Sequence, residues 1–133
     1  MTPEGGIKLR DPPKVAVKDP RKLSKYLLEP RDLLITRSGT IGIMALFRGD
    51  YRAIPSAYLI GLRFPEEISV NFFFHMLRSP YGQDLLALSV RSIGVPNVNA
   101  TSMSEYLVPV PPVPEQHRIG NCNSLKRNLE EGE

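Results

Sequence analysis

Two short polar runs carry residue types suited to reading nucleic acid. Arg37-Ser38-Gly39-Thr40 combines a guanidinium, two hydroxyls and a bare backbone position. Arg91 and Ser92 are followed by Asn97 and Asn99 in a second run. Arginine grips phosphates and guanine edges through paired N–H groups, and asparagine matches adenine in the same two-bond manner. The candidate DNA contacts are therefore Arg37, Ser38, Thr40, Arg91, Ser92, Asn97 and Asn99. For both runs the alternative is an ordinary turn whose hydroxyl and amide groups satisfy their own backbone.

Catalytic chemistry is harder to place. The two histidines, His75 and His117, stand in neither a nucleophile-elbow nor a metal-ligand spacing. Asp32, Asp50, Glu66 and Glu67 are too scattered along the chain to suggest a magnesium-holding nuclease centre. Arg37 to Gly42 lacks the Lys-Ser/Thr pair of a phosphate-binding loop, and its flanks read as strand and strand, not strand and helix. Asn99-Ala100-Thr101 matches a glycosylation sequon, an accident in a chain whose N-terminus has no apolar signal core. A single cysteine, Cys122, excludes an internal disulfide framework and a multi-cysteine zinc site. No metal and no cofactor is expected for the chain itself.

These runs must be held by a small scaffold. The chain has 133 residues, enough for one domain with a modest core, and 41% are apolar. No run approaches the roughly 18 apolar residues of a membrane span, so no membrane association is expected. The single cysteine fits a reducing compartment, the cytoplasm. Charge is distributed unevenly: residues 1–65 carry 12 Lys/Arg against 6 Asp/Glu, and residues 66–133 carry 5 against 8. A basic front and an acidic back suggest faces with different partners, one of them a polyanion.

Residues 1–21 read as irregular, with breakers at Gly5-Gly6, Pro12-Pro13 and Pro20 and at most a short edge strand around Val15 and Val17. Lys22 to Leu28 reads as a helical turn ended by Pro30. Asp32–Thr36 and Ile41–Phe47 form a predicted hairpin whose tip is the first polar run, and Ala57–Phe64 is a third strand in which Gly61 marks a bulge or close approach. The period then changes. Val70, Phe73, Phe74 and Leu77 fit one helical face, and the Phe72-Phe73-Phe74 run is core rather than a base-stacking platform. A second helix carries Tyr81, Leu85, Leu86 and Leu88. Ser102 and Glu105 form a capping-box pattern, Tyr106–Val110 reads as a final strand, and Pro111, Pro112 and Pro114 form a rigid elbow. A helix begins near Glu115 and is weakened by Gly120. The fold class is α+β: a single mixed domain of twisted antiparallel strands and two or three helices, followed by the start of a C-terminal spacer helix.

The order of the motifs carries a resemblance. Ser89 to Asn99, then Tyr106-Leu107-Val108-Pro109-Val110-Pro111-Pro112, then Val113-Pro114-Glu115-Gln116-His117-Arg118-Ile119 resembles the end of a target recognition domain in type I restriction–modification specificity subunits. The family's signature there is a short strand, a double proline, and Glu-Gln-x-Arg-Ile opening a long helix. Asp32 to Gly42 resembles its internal hairpin and Ala57 to Phe64 the strand that follows, so the similarity covers roughly residues 29–119.

The resemblance implies a non-catalytic DNA reader. It would recognise one half of a bipartite target in double-stranded DNA and position two partners, a methyltransferase subunit and a nuclease-translocase subunit. The spacer helix would dock those subunits, a role the resemblance carries onto Glu115, Gln116, Arg118 and Ile119. Family members hold two recognition domains. This chain accommodates one, so it reads as a truncated subunit, a gene fragment or a fusion partner: an irregular segment over 1–21, a partial recognition domain over 22–112 and a truncated spacer helix over 113–133. The rival reading is a protein-interaction module that uses the elbow and helix without touching DNA, or a fragment without function.

Overall fold

The computed structural model describes residues 1, 5–7, 14, 16, 18–90 and 98–131, with residues 89 and 123–131 as backbone only. The elements run α1 (Pro20–Leu23), β1 (Leu33–Thr36), β2 (Met44–Leu46), β3 (Leu59–Leu62), α2 (Val70–Arg78), α3 (Pro80–Val90), α4 (Ala100–Ser104) and α5 (Val113–Glu131). Three antiparallel strands in the order β2-β1-β3 form the sheet. Together with the helices they make the single α+β domain expected.

β1 is the central strand because its first three residues are apolar: Leu33, Leu34 and Ile35 are all buried. Leu33 and Ile35 pair with Leu46 and Met44 on one side and with Leu62 and Ile60 on the other. They share the core with Val70, Phe74, Leu77, Leu86 and Val98. Gly61 pairs in register with Leu34, so β3 has no bulge there. The edge strand around Val15 and Val17 lies outside the described residues.

α2 forms where the apolar period predicts it. Its cap is the Ser69 side chain, which accepts a hydrogen bond from the Phe72 amide. Val70, Phe72, Phe73, Phe74 and Leu77 are all buried, and Phe64 stacks on Phe73 at 4.8 Å. Pro80 does not merely interrupt the helices. It opens α3, in the first-turn position where its missing N–H costs nothing.

Four expectations need correction. The turn expected over Lys22–Leu28 forms earlier, as α1, because Asp19 caps it by accepting from the Arg21 amide and Pro20 suits its first position. The cap of α4 is Asn99 and not Ser102, since the Asn99 side chain accepts from the Ser102 amide at 2.8 Å. Tyr106–Val110 is not a strand. Pro109 lacks a ladder donor, and the Leu107 carbonyl is taken by the Tyr81 hydroxyl of α3 at 2.8 Å. Finally, the weakening expected at Gly120 does not end α5, which runs 19 residues through it, about 28 Å at 1.5 Å per residue. Gly120 sits where α5 crosses α2: a Cβ there would lie 2.8 Å from Ser69 Oγ and 2.9 Å from the Phe72 nitrogen. The glycine lowers intrinsic helix propensity but permits the closest approach of the two helices.

Candidate nucleic-acid interface

The hairpin between β1 and β2 builds a stiff tip. Thr36 is its hinge pin. The Thr36 hydroxyl donates to the Thr40 carbonyl at 2.6 Å and accepts from the Ile43 amide at 3.0 Å. Backbone bonds from Thr36 to Ile43 and from Gly42 to Thr36 close the turn. Gly39 and Gly42 both adopt positive φ, 71° and 87°, which only glycine adopts cheaply. Gly42 also lies against α3, where the Gln83 amide nitrogen donates to the Gly42 carbonyl at 3.4 Å and to the Leu77 carbonyl at 3.0 Å. Gly39 meets nothing within 4 Å of where a Cβ would sit. The tip is thus anchored on its inner side and bare on its outer side, a shape that lets another backbone approach closely.

Ser38 is half-buried and Thr40 exposed at this tip. Arg37, half-buried, begins it. The Arg37 amide donates to the Tyr58 carbonyl at 2.9 Å, one hydrogen bond beyond the last β1–β3 pair, Thr36 and Leu59. The Arg37 carbonyl accepts from the Val98 amide at 3.1 Å. Val98 is fully buried in the core and leads directly into Asn99. Three stretches far apart in sequence therefore meet at one end of the sheet: the hairpin tip, the start of β3 and the entry to α4. Arg91, Ser92 and Asn97 lie outside the described residues. Asn99 is exposed, with its side-chain oxygen engaged in capping α4.

Sequence reasoning did not select Tyr58 or Gln83. Tyr58 reads as one more aromatic residue of an apolar strand, yet it is 69% exposed. Gln83 reads as the polar side of a helix. Only the register of the sheet and the packing of α3 bring either to the tip.

The opposite end of the sheet is closed by an ion pair. Asp32 is 3% exposed, and both its oxygens accept from Arg63, at 2.8 and 2.7 Å. Asp32 also accepts from the Glu29 amide at 2.8 Å. Burial pushes the Asp32 carboxyl up, but these hydrogen bonds and the guanidinium charge outweigh it and hold the group below the ordinary carboxylate range. Arg63 further donates to the Leu27 carbonyl and pairs with Glu29 at 3.0 Å. Asp32 is therefore a structural anchor. Among the described residues no group of histidine, cysteine and carboxylate side chains could hold a metal ion.

On the helix side, the four residues of the Glu-Gln-x-Arg-Ile run separate by environment. Glu115 and Arg118 pair on the surface of α5. Ile119 is half-buried and lines a mostly apolar groove of about 590 Å³ with Phe72, His75, Met76, Pro109, Val110 and Pro111. Gln116 turns inward. It is 1% exposed, accepts from the Ser69 amide at 3.2 Å and donates to the Pro111 carbonyl at 2.9 Å. One side chain thus ties the elbow, the first turn of α5 and the cap of α2 together. No described helix is long and apolar enough to cross a membrane.

Among protein families, the model described as type I restriction modification DNA specificity domain matches residues 4–122. This reaches further toward the N-terminus than the motifs between residues 29 and 119. No curated protein matches the chain.

Proposed function

The chain belongs to the family of type I restriction modification DNA specificity domains, and we propose that it acts as a non-catalytic, sequence-specific reader of double-stranded DNA in such a system. In this reading it recognises one half of a bipartite target, over a recognition domain at 22–112. The helix from 113 onward contributes to docking a methyltransferase subunit and, in the full assembly, a nuclease-translocase subunit. Its setting is the cytoplasm.

The observation that carries the DNA reading is the convergence at one end of the sheet. Arg37, the bare Gly39 tip, Thr40, Tyr58 and Asn99 are drawn to one place by backbone hydrogen bonds. Arg91, Ser92 and Asn97 precede Val98 in the chain and belong to the proposed contact set with Arg37, Ser38, Thr40 and Asn99. Cations there neutralise phosphates and release counterions. Polar groups meeting base edges discriminate by about 1–3 kcal/mol for each good two-bond contact. Glu115, Arg118 and Ile119, on the outer side of α5 and beside its groove, form the proposed subunit contact. Gln116 supports that surface by fixing the angle at which α5 leaves the domain.

The test is duplex binding in the presence of the intact partner subunits, using DNA selected from a randomised pool. Wild-type affinity should fall steeply as salt rises. Arg37→Ala and Arg91→Ala should each weaken it. Unchanged affinity of both variants at moderate salt would remove these arginines from the interface. Binding to partner subunits with no salt-dependent duplex binding would favour the interaction-module reading instead.

A further inference from the structure

We propose that Tyr58 is an additional DNA contact, its aromatic ring packing against the duplex beside the hairpin tip. The inference rests on the DNA-reading function above and adds to it an apolar contact that the polar motifs do not supply.

Two described tyrosines are more than three-fifths exposed, Tyr26 at 65% and Tyr58 at 69%. The others are engaged: Tyr51 packs edge-on against Phe47, Tyr81 bonds to Leu107, and Tyr106 packs against the core. Tyr26 belongs to the closed end of the sheet, where Leu27 and Leu28 bond to Arg63 and Ala53. Tyr58 belongs to the tip end. Its carbonyl accepts from the Arg37 amide at 2.9 Å, one step beyond the last β1–β3 pair, Thr36 and Leu59, so the two residues are neighbours at that end.

The Tyr58 backbone is also held in place. Its carbonyl accepts from Arg37, and the next amide, Leu59, closes a turn onto the Ser56 carbonyl at 3.0 Å. A large, rigid ring on a fixed backbone loses little freedom on binding, which is why tyrosine recurs at recognition surfaces. Arg37 and Tyr58 then form a two-part contact. The guanidinium meets the salt-sensitive phosphate backbone, and the ring packs on sugar and base edges in a manner salt does not screen.

The experiment uses the full chain with its methyltransferase subunit and a fluorescent mixed-sequence duplex of about 30 base pairs, titrated at about 50 and about 200 mM salt. Tyr58→Ala should weaken binding about tenfold at both salts, leaving the salt slope unchanged, and Tyr58→Phe should bind like wild type. Arg37→Ala should flatten the slope by about one phosphate contact. In parallel, chemical nitration of the wild-type chain should modify Tyr26 and Tyr58 alike without DNA, and the duplex should protect Tyr58 alone. This readout needs no variant to fold. If wild type binds and Tyr58→Ala binds equally well, or Tyr58 nitrates equally with DNA, the inference fails and the DNA-reading function stands. A Tyr58→Phe variant as weak as Tyr58→Ala also overturns the ring contact. A wild-type complex that binds no duplex overturns both.

Discussion

The Val98 amide donates to the Arg37 carbonyl at 3.1 Å, so the residue entering α4 is fastened to the residue that begins the hairpin tip. The carbonyl that would otherwise continue the β1–β3 ladder is used to hold a third stretch of chain. Because Val98 is also fully buried, the hairpin tip and the entry to α4 are mechanically coupled. Hydrogen exchange tests this. The Val98 amide should be protected to a degree comparable with the amides of β1, and rapid exchange at Val98 would show that the coupling is not maintained.

The tip should depend on Gly42. Its φ of 87° strains any side chain, and a Cβ there would lie 2.8 Å from Gln83 Oε1, which would have to move. Gly42→Ala should cost about 1–2 kcal/mol from the backbone alone and should displace Gln83 from Leu77. Thermal unfolding should read the first effect, and weakened duplex binding the second.

Gln116→Leu should be more disruptive than its surface-like sequence suggests. It leaves the Ser69 amide and the Pro111 carbonyl without their partner, at about 1–3 kcal/mol for a buried unsatisfied group. Limited proteolysis should then cut first between Tyr106 and Glu115, a stretch that should resist cleavage in wild type. Early cleavage in the wild-type chain would mean that the elbow is not held.

Gly120→Ala opposes two effects of known size. Helix propensity favours alanine by about 1 kcal/mol. Against it, a methyl group 2.9 Å from the Phe72 nitrogen must push helices apart, and overpacking costs about 1–3 kcal/mol. The obstructing atoms include backbone, which no rotamer change relieves, so the Tm should fall by several degrees. A higher Tm would show that the α2–α5 crossing yields easily.

Asp32 sets a pH dependence. Its folded carboxyl lies below the ordinary range, so the unfolded chain binds protons more readily in acid. The Asp32–Arg63 contribution is fully present above the unfolded carboxylate value of about 3.9. It disappears as pH falls through the folded value. Asp32→Asn should lower stability at neutral pH by about 2 kcal/mol, the scale of a hydrogen bond to a charged group. Denaturant midpoints of the variant and wild type should converge as pH drops below about 4. A constant difference down to strong acid would remove Asp32 as the source.

Much of this protein is legible in its residues because the signals are local. The apolar run from Leu33 places a strand, the spacing of Val70, Phe73, Phe74 and Leu77 places a helix, and the order of motifs from Asp32 to Ile119 points to the family. What tertiary structure alone decided is which groups face one another. Tyr106–Val110 has strand composition but meets the Tyr81 hydroxyl in place of a strand edge. Gly120 reads as a weak point until α2 is laid across it. Gln116 reads as an outward polar residue until Ser69 and Pro111 close around it. Periodicity encodes which side of an element is apolar. It carries no information about which distant backbone will supply the partner for a given donor, and that pairing is what sets Arg37 between Tyr58 and Val98.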